Sequence, residues 1–157
     1  MKGVLIVAAL VGAFLLPNAA NARGNSDPRQ NVSSYAPPSP AGDPVVEATH
    51  WIGSGNMTGT RGPWCADAVS FWLSRTGHKP LASRVVASAL GYGARLPGPK
   101  VGAIAMLRSG RYWAGHVGLV EGVEPDGSIR LISENWGHRV AEAVVARNSV
   151  VAFVDVP

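Results

Sequence analysis

The spacing of apolar residues changes along this 157-residue chain, and the change limits the fold more than any other feature. Up to about residue 90, apolar residues recur every three to four positions, as in amphipathic helices. From residue 101 they alternate with period two, as in strands with one buried face. Helices are predicted at 44–52, from 65 to the glycine at 77, and at 83–90, and strands at 101–107, 116–123, 129–133 and 150–154. This order indicates an α+β fold in which N-terminal helices pack on an antiparallel β-meander.

Residues 1–22 have the pattern of a secretory signal peptide. One lysine precedes an apolar run at residues 4–16, and the small-residue sequence Ala20-Asn21-Ala22 follows the run. The run is shorter than the roughly 20 residues that a membrane-spanning helix needs, so we expect cleavage after Ala22 and no stable membrane anchor. The segment has no cysteine, so lipid attachment is not predicted. The sequence therefore predicts export to the periplasm or to the extracellular space.

Residues 23–43 differ in composition from both flanking regions. They are rich in Asn, Ser, Gln and Pro, with Pro37, Pro38 and Pro40 close together. Such a composition favours an extended or disordered linker. The remaining residues, 44–157, are numerous enough to bury one modest core, so we expect a single domain there.

The charge of the chain is modestly basic. The whole sequence has 14 basic and 10 acidic residues, and removal of residues 1–22 takes away only Lys2, which leaves a formal charge of +3. A weak positive field suits a protein that works near an anionic polymer such as a cell envelope. The arginines are scattered, without a basic run or an aromatic platform, so nucleic-acid binding is not predicted.

Cys65 is the only cysteine of the chain. Exported compartments oxidise paired thiols, but one cysteine cannot form a disulfide within its own chain. It is therefore an inert buried thiol, an intermolecular link or a reactive group. It follows Pro63 at the start of a predicted helix, and the positive end of a helix stabilises a thiolate.

A reactive thiol needs a nitrogen base and a third group that orients the base. Of the four histidines, His50 and His78 lie on or just beyond predicted helices, and His138 follows a glycine in a loop. His116 differs because it opens a strand directly after Gly115. The bare backbone of that glycine leaves room for a substrate or for the cysteine helix. His116 is therefore the preferred base.

Strand pairing suggests the third group. Asp126-Gly127 is typical of a two-residue hairpin turn. Such a turn places Gly118 opposite Asn135, so that Asn135 lies on the same sheet face as His116 and diagonal to it. A four-residue loop keeps this parity, whereas a three-residue loop reverses it and favours Glu134. Asn135 is therefore the preferred partner and Glu134 the alternative.

Four short motifs together resemble a known family. In order, they are Trp51-Ile52-Gly53-Ser54-Gly55-Asn56, Pro63-Trp64-Cys65-Ala66-Asp67, Gly115-His116-Val117-Gly118 and Glu134-Asn135-Trp136-Gly137. On these motifs the chain resembles a CHAP-like member of the NlpC/P60 cysteine peptidase superfamily, over nearly all of residues 44–157. The resemblance implies a papain-like α+β fold and hydrolysis of amide bonds in peptidoglycan.

On the matching positions the resemblance places the nucleophile on Cys65, the base on His116 and the polar third member on Asn135. CHAP domains often show Glu-x-Asn, whereas Glu134 and Asn135 are adjacent here, so Glu134 stays an alternative. No metal or cofactor is implied, and we expect a monomer. Aromatic residues could supply the cleft walls and arginines could meet substrate carboxylates: Trp64, Tyr92, Tyr112, Trp113 and Trp136, with Arg111 and Arg139.

The sequence thus predicts an exported peptidoglycan hydrolase with a Cys-His-Asn mechanism. The bond cut is that of an N-acetylmuramoyl amidase or of a stem-peptide endopeptidase, since both use this trio. Two further hypotheses stay open: a non-catalytic module that binds the cell envelope on the same fold, and an exported cysteine peptidase that acts on proteins. A thiol that reacts quickly with iodoacetamide near neutral pH would favour the enzymes over the binding module.

Overall fold

The computed structural model describes residues 42–110, 112–134 and 137–157, without the side chains of Tyr112 and Trp113. The predicted signal peptide and nearly all of the predicted linker lie outside the described residues. Within the described part of the chain, no helix is long and apolar enough to cross a membrane.

Two α-helices precede a six-stranded sheet. Helix α1 spans Pro44–Thr49 and α2 spans Cys65–Arg75, and short 3₁₀ helices span Val86–Gly91 and Arg147–Ser149. The strands are β1 (Arg95–Leu96), β2 (Ile104–Ser109), β3 (Tyr112–Val123), β4 (Ile129–Ser133), β5 (Ala141–Val145) and β6 (Val150–Val154). Their order in the sheet is β1-β6-β2-β3-β4-β5, and all neighbours are antiparallel. The predicted α+β class is confirmed, although only β2 to β5 form a simple meander, because β6 returns to pair with β2.

Helix α1 begins as its sequence predicts. Asp43 is the N-cap and its Oδ1 accepts a hydrogen bond of 2.8 Å from the Val45 N–H, while Pro44 occupies the first turn, where a missing N–H costs nothing. At the other end, Glu47 pairs with Arg75 of α2 and accepts a hydrogen bond of 2.9 Å from Trp51 Nε1. These contacts attach α1 to the C-terminal end of α2.

Helix α2 buries one face completely against the sheet. Its fully buried side chains, spaced three and four apart, are Ala68, Val69, Trp72 and Leu73. They pack on apolar side chains from one face of the sheet, namely Ile104, Met106, Val117, Leu119, Ile132 and Val154. Burial of each large side chain in this layer stabilises the fold by about 1.5–3 kcal/mol. The helix ends before Gly77, which has φ +82° and is the predicted C′ glycine.

A second apolar cluster covers the opposite face of the same strands. It includes Ala105 and Leu107 of β2, Val120 of β3, Leu131 of β4 and Phe153 of β6. Because side chains alternate between faces along a strand, neighbouring residues of β3 and β4 contribute to different clusters. This alternation decides which side chains meet at the site described below.

Several local predictions differ from the structure. Helix α1 ends at Thr49 and not at residue 52, and β3 begins at Tyr112 and not at His116. The segment after Ser83 forms a 3₁₀ helix from Val86, not an α-helix, and the Ser83 hydroxyl accepts a 3.1 Å hydrogen bond from Val85 N–H, two residues on, in a turn. The strand predicted from residue 101 begins only at Ile104. The chain turns first at Gly102, whose φ is +87°.

The β3–β4 hairpin has a different register from the predicted one. A five-residue loop joins Val123 to Ile129, where a two-residue turn at Asp126-Gly127 was expected. An irregularity between Val120 and Gly122 then shifts the pairing by one more residue. The five-residue loop and the bulge each exchange the faces on which the β4 side chains lie. Beyond the bulge these side chains are therefore on the predicted faces, although each β3 residue pairs with a β4 residue two positions earlier than predicted.

Candidate active site

Cys65 is the first residue of α2, and it is 5% exposed. Burial raises the pKa of its thiol above the usual value, and the nearby Glu134 carboxylate raises it further. Backbone N–H groups, including those of Ala66 and Val117, act in the opposite direction and lower that pKa. The helix start therefore favours the thiolate as the sequence predicts, but desolvation outweighs it and the thiol is protonated at neutral pH.

The thiol lies against strand β3 at the residue that follows His116. The contribution of the Val117 N–H to the pKa of Cys65 places the sulfur beside that backbone group. Backbone N–H groups of a strand point along the plane of the sheet. The described pairing of β3 with β4 includes no β3 residue before Leu119, so Val117 lies beyond it. Because side chains alternate along a strand, the His116 side chain lies on the face opposite to that of Val117, which packs under α2.

His116 lies on β3 opposite Leu107 of β2, and it is half-buried. Its Nε2 is 2.8 Å from the Ser133 hydroxyl oxygen. Burial lowers the pKa of His116 from 6.5 to about 4, so the imidazole is neutral at neutral pH. A neutral imidazole has the protonation state that a general base needs before it accepts a proton.

Ser133 is the residue at this site that the sequence reasoning missed. It is fully buried at the end of β4. A Cβ at Gly118 would lie 2.7 Å from the Ser133 Cβ, so only a glycine there admits the serine side chain. The parity that selected Asn135 applies equally to Ser133, two residues earlier on the same face, and this was the available signal.

Glu134, the alternative third member, lies on the other side of the strand. It is fully buried, and its Oε1 accepts a hydrogen bond of 3.3 Å from the Trp64 N–H at the start of α2. Its Oε2 has no hydrogen-bond partner among the described residues. Burial raises the pKa of Glu134 from 4.5 to about 7, and the charge of Asp67 adds to this. The predicted alternation puts Glu134 on the face away from His116, and the structure adds that this face is the one that meets the start of α2.

The segment before the cysteine is held by Arg84. Its Nε donates a hydrogen bond of 2.8 Å to Asp67 Oδ2, and its Nη2 donates to the carbonyls of Arg61 and Pro63 at 3.3 and 3.2 Å. A single guanidinium thus connects the first turn of α2 to the chain that leads into it.

Several predicted residues fall outside what the structure describes. Asn135, Trp136 and Arg111 are not among the described residues, and neither are the side chains of Tyr112 and Trp113. The role of Asn135 beside His116 therefore stays a prediction. Arg139 is described and exposed.

Two predicted substrate contacts are placed elsewhere. Trp64 is 4% exposed and belongs to the core under α2, so its ring cannot line an open cleft. Tyr92 donates a hydrogen bond of 2.7 Å to the Lys79 carbonyl and lines a cavity of about 530 Å³ with His78 and Pro157. Neither Cys65 nor His116 lines that cavity. The aromatic surface expected near the thiol is thus not supplied by these two residues.

Gly115 makes room for a different neighbour from the one that the sequence predicts. A Cβ at this position would lie 2.5 Å from the Ser109 Cβ of β2. The missing side chain therefore admits the neighbouring strand, not a substrate or the cysteine helix. Among the described residues, no group of three or more His, Cys, Asp or Glu side chains is arranged to hold a metal ion.

Comparison with known families now identifies the chain. The CHAP domain family matches residues 57–135, half of the sequence. The chain belongs to the CHAP domain family. The resemblance that its sequence motifs suggested is confirmed, and CHAP domains are typically cysteine-dependent hydrolases. Cys65 and His116 both lie within the matched region.

The fold of this CHAP domain is similar to that of a solved P60 domain, from an antigen of M. avium subspecies paratuberculosis. The TM-score is 0.51 at 13% sequence identity, and the match covers 71% of this chain and 90% of the other. At that identity the likeness shows a shared fold and no more. No curated protein matches the sequence.

Proposed function

We propose that this CHAP-domain protein is an exported peptidoglycan hydrolase that cleaves an amide bond, with Cys65 as nucleophile and His116 as general base. One observation carries the proposal. The buried thiol lies beside the Val117 N–H, immediately after His116, and the imidazole is held in its neutral form. The family is typically one of cysteine-dependent hydrolases, which supports the same chemistry.

The reaction begins with both groups uncharged. The Cys65 sulfur attacks the amide carbonyl carbon while its proton passes to the His116 imidazole, and the carbonyl π electrons move to oxygen. Collapse of this intermediate breaks the C–N bond, and the imidazolium gives its proton to the leaving nitrogen. Water then attacks the thioester with His116 as base, which releases the carboxylic acid and restores the thiol.

Backbone N–H groups at the start of α2 are the proposed stabilisers of the oxyanion. The first hydrogen bond within the helix runs from the Ala68 N–H to the Trp64 carbonyl, so the N–H groups before Ala68 have no partner within the helix. Glu134 already accepts from the Trp64 N–H. The N–H of Cys65 itself is thus the preferred donor to a negative oxygen formed on a substrate bound at the sulfur.

The proposal on substrate and location rests on the sequence. The pattern of residues 1–22 supports export, and the formal charge of +3 on the remaining chain suits an anionic envelope polymer. The linkage cut is that of an N-acetylmuramoyl amidase or of a stem-peptide endopeptidase. Peptidoglycan is the proposed partner, without a metal or cofactor.

Digestion of purified sacculi tests the function. The protein should release soluble fragments, and mass spectrometry of the muropeptides should show whether the new ends are at the sugar–peptide amide or within the stem. A Cys65→Ala protein with an unchanged melting temperature should release none. Equal release by Cys65→Ala would overturn the proposal, and cleavage of casein in preference to sacculi would identify a peptidase that acts on proteins.

A binding module without turnover is the second candidate, and the raised pKa of Cys65 favours it. A protonated thiol is a poor nucleophile unless a base removes its proton during attack. In this case the wild-type protein and Cys65→Ala would sediment with sacculi equally, and neither would release fragments.

A further inference from the structure

We propose that Ser133 is the residue that orients His116: its hydroxyl oxygen accepts the Nε2–H hydrogen bond, so that Nδ1 keeps the lone pair of the general base. This inference rests on the proposed function, since it assigns a positioning residue to the same reaction. Ser133 does not contact the reacting atoms, and it acts through the imidazole.

The contact is built into the sheet. Nε2 and the hydroxyl oxygen are 2.8 Å apart, the usual distance of a strong hydrogen bond. Ser133 is fully buried, and the absent side chain of Gly118 makes the space that it occupies. A Cβ at Gly118 would also lie 2.7 Å from the Ile132 carbonyl oxygen, so that residue must stay a glycine for β4 to approach this closely. Two strands thus position the serine.

The hydrogen bond selects one of two tautomers. A neutral imidazole carries a proton on only one nitrogen, and the partner of the other nitrogen decides which. With Nε2–H donated to Ser133, Nδ1 holds the lone pair that can take the thiol proton. If the hydroxyl instead donated to Nε2, Nδ1 would carry the proton and could not act as the base. The proposed mechanism therefore requires Ser133 to be the acceptor.

Ser133 and Glu134 lie on opposite faces of β4 and contact different parts of the site. The hydroxyl faces His116 without adding a charge, whereas the carboxylate faces the start of α2 and accepts from Trp64. A carboxylate bonded to the imidazole would favour the imidazolium. A neutral acceptor orients the ring and leaves it a neutral base, which agrees with its burial.

The first test measures the tautomer of His116 by ¹⁵N NMR of the whole protein, with the His116→Gln spectrum to assign the signal among the four histidines. Wild type should show the Nε2–H form, and Ser133→Ala should show a mixture of tautomers or the Nδ1–H form. Thr76→Val is the control, because it removes another buried hydroxyl, one that donates to the Trp72 and Leu73 carbonyls at the far end of α2. It should leave the tautomer unchanged.

A second pair of variants keeps the test valid if Ser133→Ala does not fold. Ser133→Thr and Ser133→Val have the same shape and differ only in the hydroxyl, so the threonine protein should keep the Nε2–H form and the valine protein should lose it. An unchanged tautomer in folded Ser133→Ala, or in Ser133→Val compared with Ser133→Thr, would overturn the proposal.

Kinetics give the functional measure. Loss of one orienting hydrogen bond should lower kcat by on the order of tenfold, with KM unchanged, in Ser133→Ala but not in Thr76→Val. An unchanged kcat in Ser133→Ala would overturn the positioning role. If wild type itself has no turnover, the proposed function fails, and the tautomer measurement alone still decides whether Ser133 orients His116.

Discussion

The two ends of helix α2 differ in how their ionisable side chains are paired and buried. At the C-terminal end, Arg75 pairs with Glu47 and lies 5.9 Å from the Trp51 ring and 5.6 Å from the Phe71 ring, with part of its surface exposed. At the N-terminal end, the Cys65 thiol and the Glu134 carboxylate are both buried, and one oxygen of Glu134 lacks a partner among the described residues. The first end stabilises the helix, whereas at the second end burial raises the pKa of both acids.

The helix dipole alone does not explain this difference. It favours a cation such as Arg75 at the C-terminal end, and it favours anions at the N-terminal end, where Cys65 and Glu134 lie. Burial outweighs the dipole at the N-terminal end, because it raises the pKa of both acids. Desolvation is thus the larger effect at the N-terminal end, where the proposed chemistry occurs. Burial of the two acids there makes the folded protein less stable.

The largest expected effect separates the two ends by activity. His116→Ala should lower turnover by about 10²- to 10⁴-fold, since it removes the proposed general base. Glu47→Gln, at the C-terminal end of α2, should keep turnover within about twofold, because it preserves hydrogen-bond acceptors for Arg75 and Trp51. Release of fragments from sacculi provides the measurement. A comparable loss in Glu47→Gln would show that the two ends are not functionally distinct.

Glu134→Gln tests the buried carboxylate at the N-terminal end. Folding raises the pKa of Glu134 from 4.5 to about 7, so the folded protein keeps a proton that the unfolded chain releases between these values. The stability contributed by this group is complete below pH 4.5 and is lost as the pH rises to about 7. The loss is on the order of 3 kcal/mol. Urea unfolding of Glu134→Gln should not show it.

His116 gives the control for that experiment. Its pKa is lowered from 6.5 to about 4, so its contribution to stability is complete above pH 6.5 and is lost as the pH falls towards 4. This dependence is present in both proteins and cancels in the difference between their stability curves. Because Glu134 raises the pKa of Cys65, iodoacetamide should also alkylate Cys65 at lower pH in Glu134→Gln. If wild type and Glu134→Gln had the same pH profile of stability and the same pH profile of Cys65 alkylation, the role given to Glu134 would be contradicted.

The features that the sequence predicts correctly are those set by local chemistry. The start of α2 at Cys65, its end before Gly77, and the strands β4 and β6 have the predicted bounds. Strands β1 and β5 were missed, because β1 has only two residues and β5 is only partly buried. Their places in the sheet depend on partners distant in sequence, which a local pattern does not report.

The candidate site likewise combines features set by local chemistry with features that depend on partners distant in sequence. Cys65 follows from its residue type and the start of α2, and the correct parity follows from strand alternation. His116 is predicted as the first residue of a strand, whereas β3 begins at Tyr112. Parity places Ser133 on the face of His116 but does not prefer it to Asn135, because that choice depends on the length of the β3–β4 loop and on a bulge near Glu121, which shift the register together. The raised pKa of Glu134 depends on how deeply the folded domain buries it, and no sequence pattern expresses that depth.

The smallest expected effect lies at the C-terminal end of α2. Glu47→Gln removes the charge that faces Arg75, while the amide oxygen can still accept from the guanidinium and from Trp51 Nε1, so unfolding should become easier by about 0.5–1 kcal/mol. The same substitution at Glu134 flattens the dependence of stability on pH, because there the charge has no cation to pair with among the described residues. Urea unfolding at 50 mM and 1 M salt measures the difference: salt should reduce the cost of Glu47→Gln, since it screens a partly exposed ion pair. If Glu47→Gln removed as much pH dependence as Glu134→Gln, burial would not be what distinguishes the two ends, and the contrast between a stabilising and a reactive end of α2 would be lost.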